Sequence, residues 1–319
     1  MDTSQGTGSQ GTGSEPAVGA DTGPDTGDQS HAMVVVGVDG TDDALRALRF
    51  AVAETRRRHG FLRIVHVQPE GATGSPSPSV PLVPESSWHE VAAGVVKDAE
   101  DEARRLGYDD PHLEGVLATG PRRRVLVEQS EGAACLVLGT RTAPLEHLVA
   151  GSTTAGVAAH ATVPVVSVPP TWDPAEPHGR VVVGTDAPEL SHVLEVAFAA
   201  ARDRRAALEV LHAWRPSSPY DAAIGSRVLA DTWGAAVKAS LRQAITDSGT
   251  GFGVTWTVSA HYERALTALH DASKAADLLV VGRHGHWAPH GFTLGSVARS
   301  LLRTSHCPVL VVPTTRVGV

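Results

Sequence analysis

Short apolar runs rich in Val and Leu alternate with longer amphipathic stretches along most of the chain. Runs that are apolar on both faces are typical of parallel strands in a sheet that helices cover on both sides. We therefore predict five strands in each half of the chain: 33–39, 62–67, 113–118, 135–139 and 164–168, then 180–186, 207–213, 253–259, 278–282 and 308–312.

The stretch after the first strand has a clear helical period. One face of it carries Leu45, Leu48 and Val52. Asp42 precedes these residues and is the predicted N-cap, while Gly60 follows the predicted end of the helix. Ser191 is the predicted cap at the corresponding place in the second half.

The two halves are copies of one another. "VVVGVDG" at Val34 recurs as "VVVGTDA" at Val181, and "LRIVHVQP" at Leu62 recurs as "LEVLHAWRP" at Leu208. "CLVLGT" at Cys135 recurs as "LLVVGR" at Leu278. The separation is 147 positions for Asp39 and Asp186, 143 for Gly139 and Gly282, and 144 for Pro164 and Pro308. A nearly constant separation over this length indicates duplication of a whole domain.

The repeat divides the chain into segments. We predict a disordered tail at 1–31, a first domain at 32–169, a linker at 170–179, a second domain at 180–313 and a short tail at 314–319. Each domain is predicted to be α/β and Rossmann-like, with an open five-stranded parallel sheet and helices on both faces. Ligands of such sheets bind at the carboxyl ends of the strands, near the topological switch point.

Composition narrows the class of protein. Hydrophobic residues make up 42% and aromatic residues only 4%, so the cores must be built from Ala, Val and Leu. The net charge of −8 argues against a general binder of nucleic acid or anionic membrane. No apolar run approaches the roughly 18–20 residues of a membrane span, and the N-terminus lacks signal-peptide features. Cys135 and Cys307 have no metal-ligand spacing, so we expect no metal site. Two isolated cysteines fit a reducing compartment, and we expect a cytoplasmic location.

Glycines recur at fixed intervals near the end of the second half. Gly282 ends an apolar run, Gly285 follows after two residues, and Gly295-Ser296 follows after nine more. Gly282 leaves room across a strand end, and Gly285 permits a tight turn. Gly295-Ser296 opens a helix, whose unpaired amides and positive dipole end suit an anion. The alternative is a turn followed by a capped helix, with no ligand.

This pattern resembles the universal stress protein family. The resemblance rests on G-x2-G-x9-G-[ST] after "ADLLVVG", on "GSVARSLLRTSHCPVLVVP" and on the two opening strands, and it covers nearly all of 33–313. It implies an adenine nucleotide α hydrolase-like fold and binding of ATP, or of ADP or AMP, with Mg²⁺ bridging the phosphates. It also implies a homodimer, with pairing of the two domains through their terminal strands.

The resemblance implies a role for particular residues of the second half. Asp186 would lie at the adenosine edge, the backbone around His212 and Ala213 would meet the adenine, and Gly282 would meet the ribose. The phosphates would lie against Gly285, Gly295, Ser296 and Val297. The implied site also includes Thr185, Val281 and Arg283.

The first half departs from the pattern. Its corresponding residues are Asp39, Val67, Gly139, Gly151 and Ser152. Position 142 is threonine rather than glycine, and the following spacer has eight residues rather than nine. A β-branched residue disfavours positive φ, so the turn cannot form in the same way. We predict a weaker or altered site there.

Other clusters favour simpler interpretations. The histidines at 284, 286 and 290 are interpreted as loop residues near a phosphate site rather than as zinc ligands. The arginine clusters at 56–58 and 202–205 end helices and are interpreted as solvated faces. The cluster at 122–124 begins a helix and is interpreted as basic surface, with a partner or phosphate contact as the alternative. The segment from Gln68 to Ser87 is either a lid or a loose loop.

The resemblance implies a stress-linked regulator or sensor that binds adenine nucleotide, and the glycine spacing favours the second half for that binding. No nucleophile with an oriented base is evident, so we predict no catalytic residue and no fast enzyme. One alternative is a slow ATP hydrolase or nucleotidyl-transferring enzyme of related fold. The other is an interaction module whose glycine sites no longer bind nucleotide.

Overall fold

The computed structural model describes residues 32–70, 85–109, 111–140, 153–175, 177–186, 192–214, 227–284 and 294–313. The predicted tails, Ser191 and most of the segment from Gln68 to Ser87 lie outside the described residues. The same holds for four residues of the predicted sites or their spacing: Thr142, Gly151, Ser152 and Gly285.

Each half alternates strands and helices. The first contains β1 (Val34–Val38), α1 (Asp42–Arg57), β2 (Leu62–Gln68), α2 (Glu85–Arg105), β3 (Leu113–Thr119), α3 (Arg122–Gln129), β4 (Cys135–Gly139), α4 (Thr153–His160) and β5 (Val165–Val168). The second contains β6 (Arg180–Thr185), α5 (His192–Arg204), β7 (Ala207–Ala213), α6 (Arg227–Ser248), β8 (Trp256–His261), α7 (Ala265–Ala272), β9 (Leu278–Gly282), α8 (Ser296–Thr304) and β10 (Val309–Val312).

The ten strands of the described residues form one sheet, in the order β3-β2-β1-β4-β5-β10-β9-β6-β7-β8. Each half contributes five parallel strands, which confirms the predicted fold class. The two terminal strands, β5 and β10, pair antiparallel, with Val165 opposite Val311 and Ser167 opposite Val309. The halves are therefore continuous through their last strands, and each half has its switch point where β1 meets β4 or β6 meets β9.

Alternate strand residues face two separate hydrophobic layers. Val34 and Val36 lie in a layer covered by α1, α2, α5 and α6, whereas Val35 faces a layer covered by α3, α4, α7 and α8. This alternation follows from the period of two along a strand. It explains why strand residues are apolar on both faces.

Several strand ends differ by one residue from the predicted ranges, and two other boundaries differ for a clear physical reason. The strand predicted at 253–259 begins at Trp256, because Gly253 has φ +75° and the amide of Val254 turns back to the carbonyl of Gly251 (3.2 Å). The N-cap of α1 is Thr41 rather than Asp42. Its hydroxyl accepts from the amide of Ala44 at 3.4 Å.

Two of the arginine clusters are solvated faces only in part: Arg56, Arg57, Arg202 and Arg205 are exposed, whereas Arg58 and Arg204 reach a buried carboxylate. Glu54 in α1 has a side chain only 3% exposed, and it accepts hydrogen bonds from Arg57 (3.1 Å), Arg58 (2.9 Å) and Arg204 (2.5 Å). Arg204 comes from α5 of the other half and is itself 7% exposed. The helix ends carrying these arginines meet across the junction of the two halves, which sequence separation alone did not reveal. A buried carboxylate therefore links the halves.

Candidate functional site

The carboxyl ends of three neighbouring strands of the second half lie side by side. β6 is between β7 and β9, with Thr185 in register with His212 and Val183 in register with Val280. Asp186 follows β6 directly and is exposed, and Gly282 ends β9. The fold therefore gathers Thr185, Asp186, Ala213 and Gly282 at one edge of the sheet.

The start of α8 is held against the exit of β9. The amide of Gly295 donates to the carbonyl of Arg283 (2.9 Å), and a Cβ at Gly295 would lie 3.2 Å from that oxygen. Gly295 is the N-cap, and as a glycine it offers no side chain to cap the helix. Ser296, the first helical residue, is exposed, and Val297 is half-buried. First-turn amides have no intrahelical acceptor and carry the positive end of the dipole, which suits an anion.

Two predicted site residues point elsewhere. The buried guanidinium of Arg283 donates to the carbonyl of Ala161 in the first half, and its amide donates to Val312 (2.8 Å). Burial lowers the pKa of Arg283. Val281 is buried in the layer under α7 and α8, so only its main chain is available to a ligand. The side chain of Arg283 therefore joins the halves, a contact that sequence gave no reason to expect.

His212 fastens the ends of β6 and β7 together. Its Nδ1 lies 3.0 Å from the carbonyl oxygen of Thr185. A carbonyl oxygen only accepts, so Nδ1 carries the proton and Nε2 of the neutral ring is an acceptor. Burial lowers the pKa of His212, against the opposing effects of the Thr185 hydrogen bond and the Asp186 charge. His66 makes the equivalent contact with Val38 (2.8 Å). Neither histidine side chain has a role that can be predicted from the sequence.

The first half uses several of its corresponding groups internally. Asp39 accepts from the hydroxyl (2.6 Å) and the amide (3.2 Å) of Thr41, which caps α1. Thr154 in α4 donates to the carbonyl of Gly139 (3.2 Å). The counterpart of Thr154 in the second half is Ala298, which cannot make this bond. Val67 is buried. These contacts occupy the strand ends with side chains of the protein itself.

Gly139 lies against the start of α1, and replacing it tests that contact. A Cβ at Gly139 would lie 2.4 Å from the backbone oxygen of Asp43, so the backbone must shift. We expect Gly139→Ala to lower the free energy of unfolding by about 1–3 kcal/mol in urea denaturation. Gly94→Ala in α2 is the control. Its Cβ meets nothing within 4 Å, and we expect stabilisation of about 0.5–1 kcal/mol. Equal effects of the two changes would contradict the steric argument.

The described residues contain neither a candidate metal site nor a helix that could span a membrane. No group of three or more His, Cys, Asp or Glu side chains there could hold a metal ion; His286 and His290 lie outside the part described. No helix in the same part of the chain is long and apolar enough to cross a membrane.

The third arginine cluster is exposed at all of its positions, Arg122, Arg123 and Arg124. Arg124 pairs with Glu128 (2.6 Å), in agreement with a basic surface.

Comparison with known proteins agrees with this architecture. The model of the Universal stress protein family matches residues 33–169 and 178–313. Universal stress proteins Rv1996 and Rv2623 of Mycobacterium tuberculosis are each 28% identical, over 305 and 296 residues, covering 89% and 88% of this chain and 95% and 96% of the relatives. A universal stress protein structure from Archaeoglobus fulgidus has a TM-score of 0.64 at 17% identity and covers 90% of this chain and 97% of its own. With two matched segments that fill most of its length, the chain belongs to the universal stress protein family.

Proposed function

We propose that the second half binds an adenine nucleotide, ATP or its ADP or AMP products, at the carboxyl ends of β6, β7 and β9. The observation that carries this proposal is the bond from the Gly295 amide to the Arg283 carbonyl. It brings the start of α8, whose N-cap is a glycine, next to the strand ends, within reach of one polyphosphate.

The described residues fit such a ligand. The amides at Ser296 and Val297, with the Ser296 hydroxyl, would hold phosphate oxygens, and Gly282 would leave room for the ribose. Thr185, Asp186 and the backbone of Ala213 would lie at the nucleoside end. Gly285 belongs to the same proposal but lies outside the described residues. Mg²⁺ would neutralise phosphate charge and be held mainly by the phosphates, since it keeps several waters and needs few protein ligands.

We also propose that binding is concentrated in the second half. The carbonyl of Gly139 in the first half accepts from Thr154, whose counterpart in the second half is Ala298, and the glycine spacing of the first half differs. Titration calorimetry with ATP and Mg²⁺ is expected to show one dominant site per chain. Two sites of equal affinity would contradict this prediction.

A regulator or sensor fits this site better than a fast enzyme. Asp186, the exposed carboxylate at the strand ends, is at the nucleoside end, far from a terminal phosphate. The rival proposal of a slow hydrolase predicts Mg²⁺-dependent release of phosphate that Asp186→Ala abolishes. The rival proposal of an interaction module predicts no nucleotide in the purified protein.

Mass spectrometry of the small molecules released on denaturation separates these possibilities. We expect adenine nucleotide in roughly stoichiometric amount from freshly purified protein, or its uptake on incubation with ATP. Protein that releases no nucleotide and takes up none on incubation would overturn the proposal.

A homodimer and a cytoplasmic location remain predictions. β5 and β10 pair with one another inside the chain, so a second copy would have to use another surface. Both cysteines are buried as free thiols, which is compatible with a reducing compartment.

A further inference from the structure

Three aromatic side chains meet at the carboxyl ends of β7 and β8. Trp214 follows β7 directly, Tyr262 follows β8, and Trp233 lies in α6. The ring of Trp214 is 4.3 Å from that of Trp233 and 4.6 Å from that of Tyr262. Trp233 is 44% exposed and Tyr262 40% exposed. Part of a large aromatic surface is therefore open beside Ala213, in a protein with few aromatic residues.

A buried acceptor adjoins this aromatic cluster of Trp214, Trp233 and Tyr262. The ring of His212 lies 5.5 Å from that of Trp233 and is 5% exposed. Nδ1 is used by the Thr185 carbonyl, and Nε2 has no hydrogen-bond partner among the described residues. A buried acceptor without a donor is unfavourable, so a ligand that supplies an N–H group would be stabilised there.

The described residues of the first half do not form such an aromatic cluster. Sheet register places Gln68 where the second half has Trp214, and Thr119 where it has Tyr262. Gln68 donates to the hydroxyl of Thr119 at 2.9 Å, so a hydrogen-bonded polar pair replaces an aromatic one. The aromatic surface thus occurs on the half whose glycine spacing is complete.

We propose that the aromatic cluster and His212 form the base subsite of the second-half nucleotide site. The aromatic surface would stack on a purine, and His212 Nε2 would accept from an exocyclic amino group at C6. The subsite would favour adenine over the 6-oxo base of inosine, which carries no amino group. This inference rests on the proposed nucleotide function and names the residues that recognise the base.

Exchanging the aromatic pair for the polar pair of the first half tests the stacking. In the double variant Trp214→Gln, Tyr262→Thr, we expect ATP affinity to fall roughly 10- to 100-fold, the range of base–aromatic stacking. Affinity for inorganic triphosphate should not change, since the α8 start is intact. Trp88→Gln in α2 of the first half is the control and should leave ATP affinity unchanged. Circular dichroism and thermal unfolding check that the variants are folded.

Replacing His212 by Asn tests the amino-group contact. The Asn side chain retains a donor for the Thr185 carbonyl but has no equivalent of Nε2. We expect the wild type to prefer ATP over inosine triphosphate by about tenfold, and this preference to disappear in His212→Asn. His66→Asn, the matched change in the first half, should preserve it.

The outcomes distinguish this inference from the function on which it rests. If the wild type binds ATP and the double variant binds it equally well, the base subsite is wrong while the nucleotide function stands. If the wild type has no preference for ATP over inosine triphosphate, the role of His212 is wrong. If the wild type binds neither nucleotide nor inorganic triphosphate, the nucleotide function itself is overturned.

Discussion

Replacing Ser296 by Asp is expected to weaken ATP binding by roughly 100-fold or more, with little effect on folding. Two unit charges about 5 Å apart repel by about 3 kcal/mol at an effective dielectric constant of about 20. The new carboxylate would stand at the exposed start of α8, where the phosphates are proposed to bind. An acidic residue in a first helical turn is favourable to the helix, so the variant should remain folded. Titration calorimetry with ATP and Mg²⁺ measures the change.

The matched control for this change is Thr153→Asp. Thr153 is the first residue of α4 and is exposed; it is the counterpart of Val297, one position after the counterpart of Ser296. It introduces the same charge into the same kind of position, and ATP affinity should stay close to wild type. If Ser296→Asp binds ATP as tightly as the wild type, the phosphates do not lie at the start of α8. If both variants weaken binding equally, the effect is a general one of net charge.

Replacing Glu54 by Ala is expected to lower the free energy of unfolding by about 3–5 kcal/mol. Removal of one partner from a buried ion pair leaves the other charge uncompensated. Here Arg204, with a side chain 7% exposed, would lose its 2.5 Å partner, and Arg58 would lose its 2.9 Å partner. Because Arg204 and Arg58 come from different halves, the loss should fall on the junction between them. Urea denaturation, followed by far-ultraviolet circular dichroism, measures the change.

Asp101→Ala is the control for charge removal on a helix surface. Asp101 pairs with Lys97 in α2 at 2.6 Å, but both side chains are well exposed. An exposed pair contributes little because water already solvates both charges. We expect the free energy of unfolding of this variant to be close to that of the wild type. A similarly small effect of Glu54→Ala would show that the buried network does not stabilise the fold.

The same network gives a pH dependence of known sign. Burial alone would raise the pKa of Glu54, but the charges of Arg204 and Arg58 outweigh it and hold the pKa below its ordinary value. A lowered folded-state pKa stabilises the protein above the ordinary pKa of glutamate, and this contribution is lost as pH falls through the lowered value. The stability difference between wild type and Glu54→Gln should therefore shrink in acid. A difference that grows in acid would contradict the assignment.

Local pattern was sufficient for most of the fold. The apolar runs at Val34, Cys135 and Leu278 form strands as predicted. They can be recognised because a strand buried on both faces has few polar positions. It failed where backbone conformation opposed apolar content. Val254 reads as strand, yet the positive φ of Gly253 places it in a turn.

The residues of the candidate site also differ in how far the sequence predicts them. Gly282, Gly295 and Ser296 are recognisable in sequence because glycine spacing reflects backbone requirements that are local. The contacts of Arg283 and of the aromatic residues cannot be recognised in the sequence, because their partners belong to other helices and strands. Arg283 reads as a loop cation beside a phosphate site, yet its partner is Ala161, 122 positions away.

The sequence by itself determined that this chain carries two copies of an α/β domain of the universal stress protein family, with a complete glycine pattern only in the second. Periodicity and motif spacing are properties of neighbours along the chain, so the sequence alone reveals them. Only the tertiary structure decided that β5 and β10 merge the copies into one sheet, that Glu54 is shared between halves, and that Trp214, Trp233 and Tyr262 meet beside His212. These contacts join residues from separate elements, and their geometry is fixed by packing rather than by sequence spacing.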